Sequence, residues 1–329
     1  MVKEIFERVF ASNLLNSVIM SSISRIKNSF LYKYVAARVH RITVGMNPRL
    51  EMNRYYRTFF GRNVDFEQPK DLIEKIYWML LYSDTSLWSK CADKYAMREY
   101  VNECGCEQYL PANYGHWDKV SAIDFSFLPS EFVLKSNNGC GTVLVVKDKT
   151  KLDIDATKKI LKQWLSIPFG WSGAQLHYTK IEPCIIAEEL LHQDEELNQY
   201  SPESMVDFKV WCINGEPESV LIVYERNRSG YSLDLYDTNW NRLNQYLKKE
   251  GHFVFHEKEF QRPACLEEML TVARKLSEPF PQVRVDFYVV KGKPVLGELT
   301  FTTGYGYFTD GYYNYLGSKI DLSKVKRIK

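Results

Sequence analysis

Arg284, Asp286, Glu298 and Thr300 lie within one apolar stretch, residues 281–304, PQVRVDFYVVKGKPVLGELTFTTG. A carboxylate inside an apolar strand is costly to bury unless something positive compensates it. Here there are two, twelve residues apart. The Val, Phe and Tyr content reads as two short strands, with Lys291-Gly292-Lys293-Pro294 as the turn between them. Side chains alternate faces along a strand, so register decides whether the acids meet. A loop with an odd number of residues sets Asp286 across from Thr300 and Tyr288 across from Glu298, both acids on one face. A two-residue loop at Gly292-Lys293 would separate them. Gly292 suits the longer, bulged turn, so the odd loop is expected. Two carboxylates and a hydroxyl on one face form an oxygen-only site that suits Mg²⁺ better than Zn²⁺. Arg284 beside them would hold a phosphate or carboxylate. The plainer reading makes Asp286 and Glu298 surface acids paired to Arg284 and the turn lysines.

Other candidate residues come earlier. Residues 132–146, FVLKSNNGCGTVLVV, read as strand, polar glycine loop, strand. Lys135 ends the first arm, and Asn138, Gly139 and Gly141 belong to a loop whose N–H groups can face an anion. No GK[ST] follows, so this is not a Walker loop. A strand follows the incomplete G-x-G, so it is not a dinucleotide fingerprint either. Taken alone, a hairpin with a glycine turn is the plainer account of it. Residues 181–191 read as a buried strand ending on Glu188 and Glu189. Residues 207–213 and 218–224 form a hairpin around Asn214-Gly215, with Lys209 in the first arm and Arg226 closing the second. Asp153-Ile-Asp155 matches an Asp-x-Asp metal pattern, but its place before a helix makes capping the better account. Four tyrosines near the C-terminus, Tyr305, Tyr307, Tyr312 and Tyr313, would either line an acceptor groove or pack the terminus.

The elements that must position these residues are legible from periodicity. Residues 1 to about 45 read as helical and amphipathic, with Ile5, Val9, Leu14, Val18, Ile23 and Ile26 at helical spacing. They carry Lys3, Arg8, Arg25, Lys27, Lys33, Arg38 and Arg41 against Glu4 and Glu7. Such a segment could lie on an anionic membrane or simply present a solvated basic face. A helix is expected from Asp71 to Leu81, and another from Asp93, as N-cap, to Asn102. The latter puts Lys94 in a first turn, against the helix dipole. Further helices are expected over 157–165 and 263–277, and residues 229–262 give no clear pattern.

The 329 residues are 45% hydrophobic and 26% charged, ordinary for a soluble globular protein. A net charge of +2 argues against a general nucleic-acid binder. No run of 18 apolar residues predicts a spanning helix, and the N-terminus lacks a signal-peptide pattern. Seven cysteines without CxxC pairs or neighbouring histidines read as reduced thiols of a cytoplasmic protein, not as a zinc site.

In order, these features resemble the ATP-grasp superfamily, an α+β fold in which two lobes clamp ATP. More narrowly they are similar to its TupA-like (teichuronopeptide biosynthesis) branch. The motifs that carry the likeness are Pro69 with Glu74-Lys75-Ile76, ADKYAMREYV at 92–101, FVLK at 132–135, Ala187-Glu188-Glu189, Asp207-Phe208-Lys209 with NGEP at 214–217, and RVDFY at 284–288 with GELTF at 297–301. The resemblance implies a helical, basic N-terminal extension (1–68), a lobe of helices (69–130), a lid subdomain with the glycine-rich hairpin (131–190) and a C-terminal lobe with the metal-binding hairpin (191–329). It implies that Lys94 and Lys135 hold ATP phosphates beneath a lid of residues 137–141, including Asn138, Gly139 and Gly141. It makes Glu188 and Glu189 the adenine and ribose hinge, and Lys209 a further phosphate ligand. Asp286 and Glu298 become the ligands of Mg²⁺, two ions in all. Thr300 stands where most of the superfamily has asparagine, which weakens one metal contact, although a hydroxyl can still coordinate. Arg284 and Arg226 would face the transferred phosphoryl group or the acceptor carboxylate.

The activity so implied is an ATP-dependent carboxylate–amine ligase. It would join an amino acid or other amine to a uronic-acid sugar of a bacterial surface (capsular or teichuronic) polysaccharide, in the cytoplasm or at the inner face of the membrane. The alternatives are an ATP-grasp kinase acting on a sugar or other alcohol, a glycosyltransferase using Asp153 and Asp155, and a non-catalytic nucleotide-binding scaffold.

Overall fold

Two sheets, set by the hairpins described above, organise the computed structural model, which describes residues 30–227, 230–249, 253–303 and 305–328. The smaller is antiparallel, with strands β1 (Asn113–Trp117), β2 (Phe132–Ser136), β3 (Val143–Val146) and β4 (Ile185–Glu188) in the order β1-β4-β2-β3. The larger runs β10-β9-β5-β6-β7-β8, from β5 (Asp207–Ile213), β6 (Glu216–Tyr224), β7 (Tyr231–Asp237), β8 (Phe253–Val254), β9 (Gln282–Val290) and β10 (Lys293–Thr300). Each sheet has its own apolar filling. Phe132, Leu134, Ile185 and Ala187 of the small sheet pack with Leu161 of the helix Ile154–Ser166. The large sheet is covered by the helix Leu266–Ser277, whose Leu266, Met269, Leu270, Ala273 and Leu276 recur every three to four residues and are buried.

Ahead of the sheets come α1 (Phe30–Met46), α2 (Pro48–Phe60), α3 (Leu72–Tyr82), α4 (Ser86–Ala92) and α5 (Met97–Glu103). α3 begins as expected at an Asp71 cap, closed by Glu74 into a capping box. Glu51 of α2 is buried and accepts from Gly173 N–H at 3.0 Å, which ties the helical N-terminal region to the body. The expected helix over residues 1–29, with Ile5 to Ile26 and four of its cations, lies outside the described residues. Among the described residues no helix is long and apolar enough to cross a membrane. All seven cysteines are free.

Three expectations are corrected here. The helix placed at Asp93 starts at Met97. The Asp93 carboxylate accepts from Tyr95 and Ala96 N–H at 2.8 and 3.1 Å and so caps a turn instead. Lys94 is held in that turn by its N–H to Asn137 O at 3.0 Å, outside the helix, so its charge does not stand in a first turn. The small lobe begins at Asn113, not at 131, because β1 is one of its strands. The groove reading fails for Tyr312 and Tyr313, which are buried in the helix Asp310–Ser318. Tyr305 stacks on Phe59 and bonds Tyr77 Oη at 2.8 Å, also as packing.

His177 gives the fold an acid-sensitive point. It is fully buried beside Trp88, Tyr178 and Phe301, and neither ring nitrogen has a partner. Burial, with Lys180 adding to it, pushes its pKa down to about 3. The unfolded chain therefore takes up a proton near pH 6.5 that the folded chain refuses, and the stability present above that value is lost as pH falls towards 3. Between pH 6.5 and 5 the loss is about 2 kcal/mol. His177→Phe should flatten the pH dependence of urea stability by that amount. An unchanged slope would refute the assignment.

Candidate active site

The site is built on the β9–β10 hairpin, and its turn is not the one expected. Val290 pairs with Lys293, so the loop is the two-residue Lys291-Gly292. Both residues have positive φ (54° and 71°), as a tight hairpin turn of this hand requires. The Asp194 carboxylate takes both their N–H groups. The odd residue sits instead at Gly297, where a β-bulge shifts the register between Leu296 and Glu298. A side chain at Gly297 would meet the Tyr288 ring at 3.2 Å and the Asp286 carbonyl oxygen at 3.3 Å. Beyond the bulge, Glu298 lies directly opposite Asp286 and Thr300 opposite Arg284, while Tyr288 faces Val295. The acids share a face as expected, with different partners and for a different reason.

Strand β5 runs along the other side of β9 and sets Lys209 beside Asp286. Asp286, Lys209 and Arg284 are all buried. Arg284 donates to Asp286 through Nε at 2.6 Å and Nη2 at 2.7 Å, and also to Thr300 Oγ1 at 3.2 Å. Lys209 Nζ bonds Asp286 and, at 2.7 Å, Asp207. Arg226 reaches Asp207 at 2.8 Å from the sheet's end. Lys94 donates to Gly139 O at 2.8 Å and stands 3.5 Å from Glu298, joining the glycine loop to the acid hairpin. Burial would raise the Glu298 carboxyl, but Lys94, Lys209, Arg284 and the Thr300 hydroxyl outweigh it and bring its pKa down to about 2.

The structure thus gathers Lys94, Lys209, Arg226, Arg284, Asp286, Glu298 and Thr300 into one connected cluster. Lys135 and Glu188 form a second one: they pair at 2.8 Å, with Arg98 3.5 Å from the same carboxylate. The Glu188 side chain is therefore engaged by two cations. Glu189 extends the β1–β4 pairing through its N–H to Ala112 O at 2.9 Å. Asn138, Gly139 and Gly141 line a cavity of about 580 Å³ between the glycine loop, α1 and the end of the helix Ile154–Ser166. Asp153 caps that helix by accepting from Ala156 N–H at 2.9 Å, and Asp155 is exposed, so capping accounts for the Asp-x-Asp pattern.

Two participants were given no role in the sequence reading, Asp207 and Arg98. Asp207 is two residues from Lys209 on a buried strand, a spacing that puts both on one face. Its Oδ1 is buried and has no hydrogen-bond donor among the described residues. Burial pushes the Asp207 carboxyl up, opposed by Lys209 and Arg226 and reinforced by Asp286.

The donors fit Mg²⁺. Asp286, Glu298 and Thr300 offer only oxygen, and Glu298 Oε2 stands 3.5 Å from Lys94 Nζ. No three His, Cys, Asp or Glu side chains gather as a metal site among the described residues. That suits an ion that takes one or two carboxylates and draws its other ligands from water and phosphates.

Two α+β lobes meeting at paired acids, lysines and a glycine loop define the ATP-grasp class. The chain belongs to the TupA-like ATP-grasp family, whose sequence profile matches residues 74–321. No curated protein matches it. Among solved structures it is similar to D-alanine–D-alanine ligase from Bacillus anthracis, at 16% identity over 68% of this chain and 61% of that one, TM-score 0.39. The ATP complex of that enzyme gives 14% identity over 73% and 67%, TM-score 0.44. L-amino acid ligase from Bacillus licheniformis gives 13% over 74% and 50%, TM-score 0.42. The chain thus spans between half and two thirds of the length of these relatives.

Proposed function

We propose that the protein is an ATP-dependent carboxylate–amine ligase. The observation that carries the reading is the bulge-set opposition of Asp286 and Glu298 with Lys94, Lys209 and Arg284 in contact around them. Phosphoryl transfer demands neutralised charge on the transferred group and little covalent chemistry from the protein. Lys94, Lys209 and Arg284 supply fixed positive charge from buried or nearly buried positions, where it acts strongly. Asp286 and Glu298, with the Thr300 hydroxyl, would hold Mg²⁺, which would supply further neutralisation at the phosphate oxygens. A substrate carboxylate oxygen attacks the γ-phosphorus and ADP leaves, giving an acyl phosphate. The amine nitrogen then attacks the acyl carbon, loses a proton, and inorganic phosphate departs. Lys94, bonded to Gly139, holds the glycine loop down over this centre, which keeps water from the activated acid.

The family context supports an amino acid and a uronic-acid sugar of a surface polysaccharide as the pair to be joined. Hydroxylamine trapping tests the reading. With ATP and Mg²⁺, a uronic acid should yield its hydroxamate together with stoichiometric ADP. ADP release independent of any carboxylate, or a stable phosphorylated alcohol, would overturn it, the latter in favour of a kinase.

A further inference from the structure

Helix α1 carries an apolar stripe that nothing among the described residues covers. Leu31, Val35, Val39, Ile42 and Met46 recur at four, four, three and four residues and are 50–82% exposed. Leu50, at the start of α2, continues the line. The opposite side of α1 is the one that packs, through buried Val44 and the His40–Glu51 pair at 3.2 Å. The stripe is therefore not a misplaced core face but a second, outward one. At 100° per residue the Arg38 cation falls on one edge of it, while Lys33 lies on the packed side with His40 and Val44. Arg41, further round on the Arg38 side, lies 5.8 Å over the Trp171 ring. Residues 30–46 contain no acid.

We propose that this face docks on an anionic lipid surface. An amphipathic helix lies in the interface with apolar side chains among the acyl chains and with lysine and arginine reaching back to the headgroups. Charge decides between occupants. A second copy of the stripe would bring Arg38 against its own kind, with no acid on the helix to pair it. Residues 1–29 carry Lys3, Arg8, Arg25 and Lys27 against Glu4 and Glu7, so they too add like charge. Phosphate headgroups complement both Arg38 and this preceding segment. The inference does not depend on the ligase reading.

Flotation of the full chain tests it, using vesicles of phosphatidylcholine alone and vesicles with about one third phosphatidylglycerol. The wild type should bind the anionic vesicles about tenfold or more tightly, and about 0.5 M salt should weaken that binding. The triple variant Val35→Glu, Val39→Glu, Ile42→Glu should lose at least about tenfold in affinity, and Arg38→Gln should weaken binding to the anionic vesicles alone. All four positions are outside the packed face, and circular dichroism and melting temperature should match the wild type. Failure of the wild type to float, or equal flotation of the triple variant, would overturn the proposal. So would a triple variant that turns a lipid-free dimer into a monomer, since the stripe would then be a self-interface.

Discussion

Glu298→Gln should fold normally and lose ATP turnover by about a thousandfold or more. The substitution keeps the side chain's shape and removes one negative charge and one anionic oxygen donor. Its partners are Lys94, Arg284 and the Thr300 hydroxyl. About a third of the side chain is exposed (34%), so solvent screens these pairs and little folding stability rests on them. The catalytic loss is large because preorganised charge at a phosphoryl-transfer centre is worth several kcal/mol in the transition state. The acid limb gives an independent check. The carboxyl, held down at about 2, contributes a small, solvent-screened stability that is present above its unfolded value near 4.5 and is lost as pH falls towards 2. The Gln variant should lack that contribution. Steady-state ADP release, with thermal unfolding as the control for folding, is the measurement. Wild-type turnover in the variant would remove the centre from the proposed mechanism.

Lys209→Met should have the opposite profile, with a large effect on stability as well as on activity. Lys209 Nζ sits between the buried carboxylates of Asp207 and Asp286. Removing it leaves those two acids facing each other with only Arg226 and Arg284 at their outer sides. Breaking a buried ionic arrangement by deleting one partner costs about 3–5 kcal/mol. Charge, not packing, is the cause, and pH separates the two. The Asp207 carboxyl is already raised by burial, while Lys209 and Arg226 oppose the rise. Without the lysine it rises further. A raised folded value means stability that is fullest below the unfolded value near 3.8 and is lost as pH climbs through the folded one. The deficit relative to wild type, read from urea unfolding, should therefore shrink between pH 7 and pH 5. A deficit equal at both pH values would assign the loss to packing.

The hairpins and the longer helices were legible because their signals are local. Asn214-Gly215 fixes one turn, the Asp71–Glu74 box fixes a helix start, and the spacing of Leu266 to Leu276 fixes a buried face. The shared face of Asp286 and Glu298 was legible too, but only as a matter of parity: one odd residue had to lie somewhere between them. Whether it sat in the turn or at Gly297 depends on the Tyr288 ring and on Asp194 holding the turn, neither of which is a local signal. Strand β1 escaped for a related reason. Its half-buried pattern on Asn113, Gly115 and Trp117 has almost no apolar alternation, and pairing with β4 makes it a strand. Asp207 and Arg98 gain their roles from neighbours far along the chain, Asp286 for one and Glu188 for the other.

The separate apolar fillings of the two sheets bear on how the jaws open. Tilting the small sheet need not uncover either interior, because Phe132, Leu134 and Leu161 travel with it. Beside the stacked rings of Tyr95 and His116, the fastenings at the mouth are polar: Asn137 to Asp93 at 2.9 Å, Lys94 to Gly139, and Arg98 towards Glu188. Such fastenings weaken with ionic strength and respond little to the heat-capacity effects that govern buried oil. Dissolved salt, more than temperature, should then set how wide the empty clamp stands.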